Sequence, residues 1–361
     1  GSFPMSEQSK IRVAYADWAK IVGILMVVMI HTTTLSFHQQ PVGSAGFVWS
    51  WLLDSLSHAG VPLFVMASGM FLLDESRPVP LRKAVRRYAL PLAGLFVFWS
   101  VAYAAINKVI QPMLFEHAAL SGAMLGEFGM ACLEGAYHLW FLPMIVGLYL
   151  ITPLLRRFVR QESRNLVRWF LLLAGVVQFL LPTLWIFLET ATGASFAKAA
   201  ENGALPFVSG YTFYYVLGWY IATMPRPERP WRWYLAGAVG LLGMLGGTWW
   251  LSARAGEPED ALLQPLTLFC GLYGVGLFAF FSFAGRNWKP HAALTSISRL
   301  IFGVYIVHVE VQSLFRVVFP YPETGSPLVY FLLQWLAVTG ISLALCLVMS
   351  RIPGLKKLIR A

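Results

Sequence analysis

Long apolar stretches recur along the whole of this chain, and no other feature limits its possible folds so tightly. A run of about 20 apolar residues matches the ~30 Å hydrocarbon depth of a bilayer. Ten such runs can be marked, at roughly 14–35, 47–73, 88–110, 137–155, 169–188, 211–224, 233–252, 265–284, 300–319 and 327–350. The sixth is the shortest. In lipid, every backbone N–H and C=O must find its partner within the segment, so runs of this kind fold as helices. Composition agrees: 12% of residues are charged, against about 25% in a soluble domain. The expected fold is therefore all-α, a polytopic membrane helix bundle of about ten transmembrane helices.

The basic residues give the bundle a direction. Of 27 Lys and Arg, 22 fall in the even-numbered connections and the two tails. They run as Arg77, Arg82, Lys83, Arg86 and Arg87; Arg156, Arg157, Arg160, Arg164 and Arg168; Arg226, Arg229 and Arg232; Arg286, Lys289 and Arg299. The tails add Lys10, Arg12, Arg351, Lys356, Lys357 and Arg360, whereas the odd-numbered connections carry acids such as Glu127, Glu257 and Asp260. Cytoplasmic connections collect Lys and Arg, so both termini are expected in the cytoplasm. The formal charge of +10 is thus a topology signal. It is spread over many connections, where a nucleic-acid partner would need it gathered on one soluble face.

Other readings close quickly. Residues 1–13 read as a tag remnant (Gly1–Pro4 before Met5) and a cytoplasmic tail, 14–350 as a single transmembrane domain, and 351–361 as a basic cytoplasmic tail. The first run holds Lys20 and His31 and lacks a small-residue cleavage site after it, unlike a signal peptide. Cys132, Cys270 and Cys346 are too scattered for a zinc site or redox pair, and no metal is expected. Phosphate-binding Gly loops, HExxH and GxSxG are missing. No His is followed five residues later by Asp, as glycerolipid acyltransferases require.

Polar residues inside the apolar runs carry what remains, because ionisable groups there are costly and commonly mark a pathway or reacting centre. Lys20 and His31 are eleven residues apart, which returns them to nearly one helix face about 16 Å apart along the axis. Asp17 shares that face but lies more than three turns from His31, so it is expected to pair with Lys20 or Arg12. The second run holds Asp54 and His58, read either as a solvated outer helix end or as part of a site. Ser68-Gly69 in the same run allows close approach of another backbone. Tyr137 and Trp140 suit an interfacial belt, and His138 beside them suits an outer acceptor site. Tyr305, His308 and Gln312 share a face of the ninth run, as either a hydrogen-bonded packing element or a functional group.

In order, Asp17-x-x-Lys20-x10-His31, Val61-Pro62-Leu63-Phe64-x3-Ser68-Gly69, a basic run, His138-Leu139-Trp140-Phe141 and Tyr305-Ile306-Val307-His308 resemble the bacterial acyltransferase-3 family of integral membrane enzymes. The resemblance covers nearly the whole chain. Met29–Thr34, Tyr137–Phe141 and Phe213–Tyr215 look most like the enterobacterial common antigen O-acetyltransferases. The family usually has Arg where this chain has Lys20, which keeps the charge and loses the planar fork.

The resemblance implies a multi-pass enzyme of the bacterial inner membrane that moves an acyl group, normally acetyl from acetyl-CoA, to a hydroxyl of a cell-surface glycan or its lipid-linked precursor. Lys20 with Arg82, Lys83, Arg86 and Arg87 would hold the phosphates of CoA, the paired-arginine pattern fitting Arg86-Arg87 in more than one register. Pantetheine could then span the distance to His31, whose ordinary pKa near neutrality suits a general base. Asp17 and His308 complete the expected catalytic set, and His138, Trp140, Tyr305, Asp54 and His58 the acceptor-binding set. Outer connections such as 111–136 and 189–210 would add acceptor contacts, and membrane lipids surround the bundle. A secondary transporter or a non-catalytic envelope assembly protein stays open as the alternative.

Overall fold

The computed structural model describes residues 13–195 and 210–360. Lys10, Arg12, the tag-like start and the part of connection 189–210 holding Lys198 and Glu201 lie outside the described residues. The longer helices, in chain order, are α1 (Ala14–Gln39), α2 (Ala45–Ser57), α3 (Gly60–Leu72), α4 (Leu81–Phe115), α5 (Gly122–Glu134) and α6 (Phe141–Leu155). They continue with α7 (Gln161–Thr192), α8 (Gly210–Thr223), α9 (Trp231–Ala255), α10 (Leu268–Ala284), α11 (Ala292–Val318) and α12 (Pro327–Arg351). Among the described residues there is no strand, and nine helical stretches are long and apolar enough to cross a membrane. α2 with α3 makes one of these, and α5 with α6 another. The sixth apolar run is α8, whose 14 described residues extend about 21 Å. The protein is a polytopic all-α membrane protein.

Two expected boundaries change. The third run, expected over 88–110, is helical from Leu81 to Phe115, and the connection expected over 111–136 contains α5. α5 escaped the sequence reading because its three glycines weaken both hydropathy and helix propensity. Its end signals are present: Ser121 accepts from the Met124 amide, and Gly135 takes φ +74° just past the last turn.

Prolines shape α4 and α7. Each carries π-helical turns, Ala84–Ala89 and Ile106–Ile110 in α4 and Val176–Leu180 in α7. Every one is followed at its second residue by a proline: Pro91, Pro112 and Pro182. Proline supplies no N–H and its ring clashes with the carbonyl four residues back. Widening the preceding turn by one residue relieves that clash without breaking the helix.

The residues form two compact units. The first joins the chain up to Arg77 with Phe158–Val348. Within it α1 packs on α2, α3 and α11, α3 on α8 and α10, and α9 on α10. α8 is the inner helix, with Tyr214, Tyr215 and Trp219 fully buried. Glycine permits the α3–α8 contact: a Cβ on Gly69 would overlap the Tyr215 carbonyl, and one on Gly218 the Met66 carbonyl. Such backbone approach is a common membrane packing device, as expected for Ser68-Gly69. The carbonyls at the C-terminal end of α8 are capped by arginines, Arg164 bonding Tyr220 O at 3.0 Å and Arg286 bonding Met224 O at 2.6 Å.

The second unit holds Pro78–Arg157 and the chain from Met349 onward. α4 packs against α5 and α6. The last segment returns to α4, where Trp99 Nε1 donates to the Leu358 carbonyl at 2.8 Å.

Candidate active site

Parallel packing of α1 and α11 brings a series of polar side chains together in the first unit. At one end Ser298 Oγ donates to Asp17 Oδ1 at 2.6 Å. A little over one turn past the middle of α1, the His31 and His308 rings approach to 5.0 Å between centroids. One residue on, Gln312 Nε2 donates to Thr32 Oγ1 at 3.1 Å, and Arg316 Nη2 donates to the His31 carbonyl at 2.6 Å. The two helices therefore keep one register over the whole contact, since the numbering offset is 281 at Asp17–Ser298 and 280 at Thr32–Gln312. Helical periodicity supplies each face, and the register joins them.

His308 is fully buried, and its tautomer follows from its neighbours. Nδ1 lies 2.7 Å from the Tyr305 carbonyl and 3.1 Å from the Val304 carbonyl. Carbonyls only accept, so in the neutral ring Nδ1 carries the proton and Nε2 the lone pair. His31 is half-buried, and its segment is held by its own hydroxyls. Thr32, Thr33 and Thr34 donate to the carbonyls of Val28, Met29 and Ile30 at 2.8, 3.0 and 2.7 Å. Thr32 Oγ1 can thus donate along α1 and accept from Gln312.

α2 brings a second pair to this segment. Asp54 is only 1% exposed, which removes the reading of this residue as a solvated helix end. Its Oδ1 lies 3.4 Å from the Thr34 hydroxyl and 3.6 Å from His58 Nδ1. His58 sits where α2 gives way to α3, its Nδ1 2.7 Å from the Asp54 carbonyl. Thr34 is one turn from His31, so Asp54 and His58 adjoin the same stretch of α1.

Lys20 lies toward the other end of α1. Its ammonium stands 5.1 Å from the Phe71 ring centre, and Arg77 covers the same ring at 4.9 Å. Arg77 also pairs with Asp74 at 3.4 Å. Within this unit, then, Lys20 and Arg77 share the Phe71 ring. Asp17 is bound to Ser298, a partner the sequence reading missed, and stands about 21 Å along the axis from His31.

The remaining expected residues belong to the second unit. Arg82, Arg86 and Arg87 are exposed on the first turns of α4, and Lys83 Nζ donates to the Pro78 carbonyl at 2.9 Å. Trp140 is exposed, as an interfacial anchor should be. The expected surface position of His138 is corrected: it is 2% exposed, in a 3-10 turn over Tyr137–Trp140. Its ring packs edge-on against Tyr103 at 4.7 Å and Tyr137 at 5.5 Å. The tight turn directs Tyr137 and Trp140 outward and His138 inward.

Arg316, Gln312, Ser298 and Arg77 are the site residues whose roles the sequence reading missed. Gln312 was visible as a polar residue on the His308 face; for the others the only signal was a charge or hydroxyl near a helix end. Among the described residues no group of three or more His, Cys, Asp or Glu could hold a metal ion, and the three cysteines are free.

A family described as an acyltransferase domain, the acyltransferase-3 family, matches the chain over residues 13–351. No curated protein and no solved structure matches it.

Proposed function

The chain belongs to the acyltransferase-3 family, a multi-pass membrane acyltransferase, and from that premise we propose that it transfers an acetyl group from acetyl-CoA to a sugar hydroxyl. The acceptor in this reading is a surface polysaccharide or its lipid-linked precursor, as in the enterobacterial common antigen O-acetyltransferases, and the membrane is a bacterial inner membrane. The observation that carries the reading is the His31–His308 pair at 5.0 Å, set on the same α1 face as Lys20.

His31 is the general base. It takes the proton of the acceptor hydroxyl as that oxygen bonds to the thioester carbonyl carbon. The C–S bond then breaks, and the departing CoA thiolate recovers the proton. A positioned base of this kind contributes about 10²–10⁴-fold. His308, with Nδ1 locked to backbone carbonyls, packs its ring against that of His31 and so limits how the His31 ring can turn. Arg316 fixes the His31 backbone. Lys20, which shares the Phe71 ring with Arg77, binds a phosphate of the donor by charge-assisted hydrogen bonds. Asp54 and His58 bind the acceptor, with Tyr305 of the same unit as a further acceptor residue. Asp17 secures α1 to α11 through Ser298.

The test is transfer of label from acetyl-CoA to oligosaccharide or lipid-linked oligosaccharide by the purified protein in proteoliposomes. The reading predicts labelled, alkali-labile ester on the acceptor. Gradient-driven uptake of a solute with no ester formed would instead identify a transporter.

A further inference from the structure

The first unit carries a groove that acyl transfer does not use. It runs along α7, α8 and α10, has a volume of about 500 Å³, and is walled by Leu172, Val176, Phe179, Phe213, Leu217 and Val275. Gly175 keeps it open: a Cβ there stands in ordinary contact with Phe213 at 3.7 Å, so any longer side chain projects into the groove.

The groove is polar at one end only. Arg168 and Tyr220 close that end, with Arg168 Nε donating to the Tyr220 hydroxyl at 2.9 Å. Having accepted that bond, the Tyr220 hydroxyl has its own proton to donate. A second cation adjoins, since the Arg164 guanidinium lies 4.1 Å from the Tyr220 ring centre. None of the lining residues is acidic. From Arg168 to Leu180 the wall extends about 18 Å, close to half of the ~30 Å hydrocarbon thickness. These features match an amphiphile with an anionic head and a hydrocarbon tail one leaflet long.

We propose that this groove binds one chain of an anionic phospholipid from the leaflet on the arginine-rich side, with the phosphate held by Arg168 and Tyr220. The proposal is independent of the reaction at His31. Arg164 has both terminal nitrogens committed, Nη1 to the Thr223 hydroxyl at 3.2 Å and Nη2 to the Tyr220 carbonyl, so it adds field, while Arg168 bonds Tyr220 through Nε and Asn165 through Nη1 at 3.5 Å and makes the contact through Nη2. A headgroup without net charge keeps the phosphate but neutralises that field with its own ammonium.

Native mass spectrometry of the delipidated full-length protein, titrated with phosphatidylglycerol or phosphatidylcholine, tests this. Phosphatidylglycerol should form a one-to-one adduct at about 10-fold lower concentration than phosphatidylcholine. Arg168→Gln should bring the two lipids level. Gly175→Leu should weaken both by about 10-fold, as should Leu172→Trp, introduced from an exposed position for the case that Gly175→Leu melts early. Equal binding of the two lipids by the wild-type protein, or an unchanged phosphatidylglycerol adduct in Arg168→Gln, would overturn the proposal. Displacement of phosphatidylglycerol by an equimolar isoprenoid phosphate would also overturn it, in favour of a different occupant.

Discussion

His31 depends for its position on a residue 285 places away: Arg316 Nη2 donates to its backbone carbonyl at 2.6 Å. A guanidinium bound to a carbonyl cannot take up the reaction's proton, so its contribution is to hold the turn that carries the imidazole. Misplacing a catalytic group by about 1 Å can cost ~10²-fold. Arg316→Gln should therefore lower kcat about 10–100-fold while leaving the KM for acetyl-CoA within twofold, and Arg316→Lys should recover part of the loss. Steady-state kinetics with labelled donor checks this, and an equal change in KM would assign Arg316 to substrate binding. The Lys20–His31 face was readable from helical periodicity because both residues lie on one helix. Arg316 was not, because its role comes from the register between α1 and α11, which no local pattern encodes. His138 failed for a different reason. Its exposed neighbours Tyr137 and Trp140 mark a boundary, but only the 3-10 turn decides which side chain of the three points inward.

Among elements, α8 shows how much a short helix can organise. It has 14 described residues, and its Gly218 lies against the Met66 carbonyl of α3. Gly218→Leu should force the two backbones apart and destabilise the protein by about 3 kcal/mol, seen as a lower melting temperature in detergent. Gly94→Leu on α4, where no atom lies within 4 Å of the added Cβ, should melt like the wild type. Equal melting of both variants would deny the packing role of the pair. Hydropathy revealed the apolar runs because length and composition are sufficient signals for a span. The π turns of α4 and α7 remained hidden, although Pro91, Pro112 and Pro182 were visible. A proline announces a missing hydrogen bond, and the sequence does not say whether the helix breaks, kinks or widens to accommodate it.

Across the whole molecule, the distribution of Lys and Arg predicts the side from which the donor comes. Lys20 lies toward the end of α1 that adjoins these residues, while His31 lies about 16 Å further along. Acetyl-CoA does not cross membranes, so transfer in inside-out vesicles should proceed at least tenfold faster than in right-side-out vesicles, consistent with the side marked by basic connections. Lys20→Gln should raise the KM for acetyl-CoA about tenfold in the productive orientation, the effect of one lost charge-assisted hydrogen bond, with Lys20→Arg close to wild type. Equal rates in the two vesicle orientations would reject a donor site at the Lys20 end. The whole constellation of His31, His308, Asp54, His58, Gln312 and Arg316 belongs to the first unit.

Acetyl transfer in this enzyme rests on His31 as the base. The measurement is the rate of acetyl transfer to oligosaccharide by His31→Ala in proteoliposomes, alongside a melting curve to confirm that the variant is folded. A base at His31 implies a loss of at least about 100-fold with an unchanged melting temperature. A folded His31→Ala protein that transfers acetyl at the wild-type rate would contradict it.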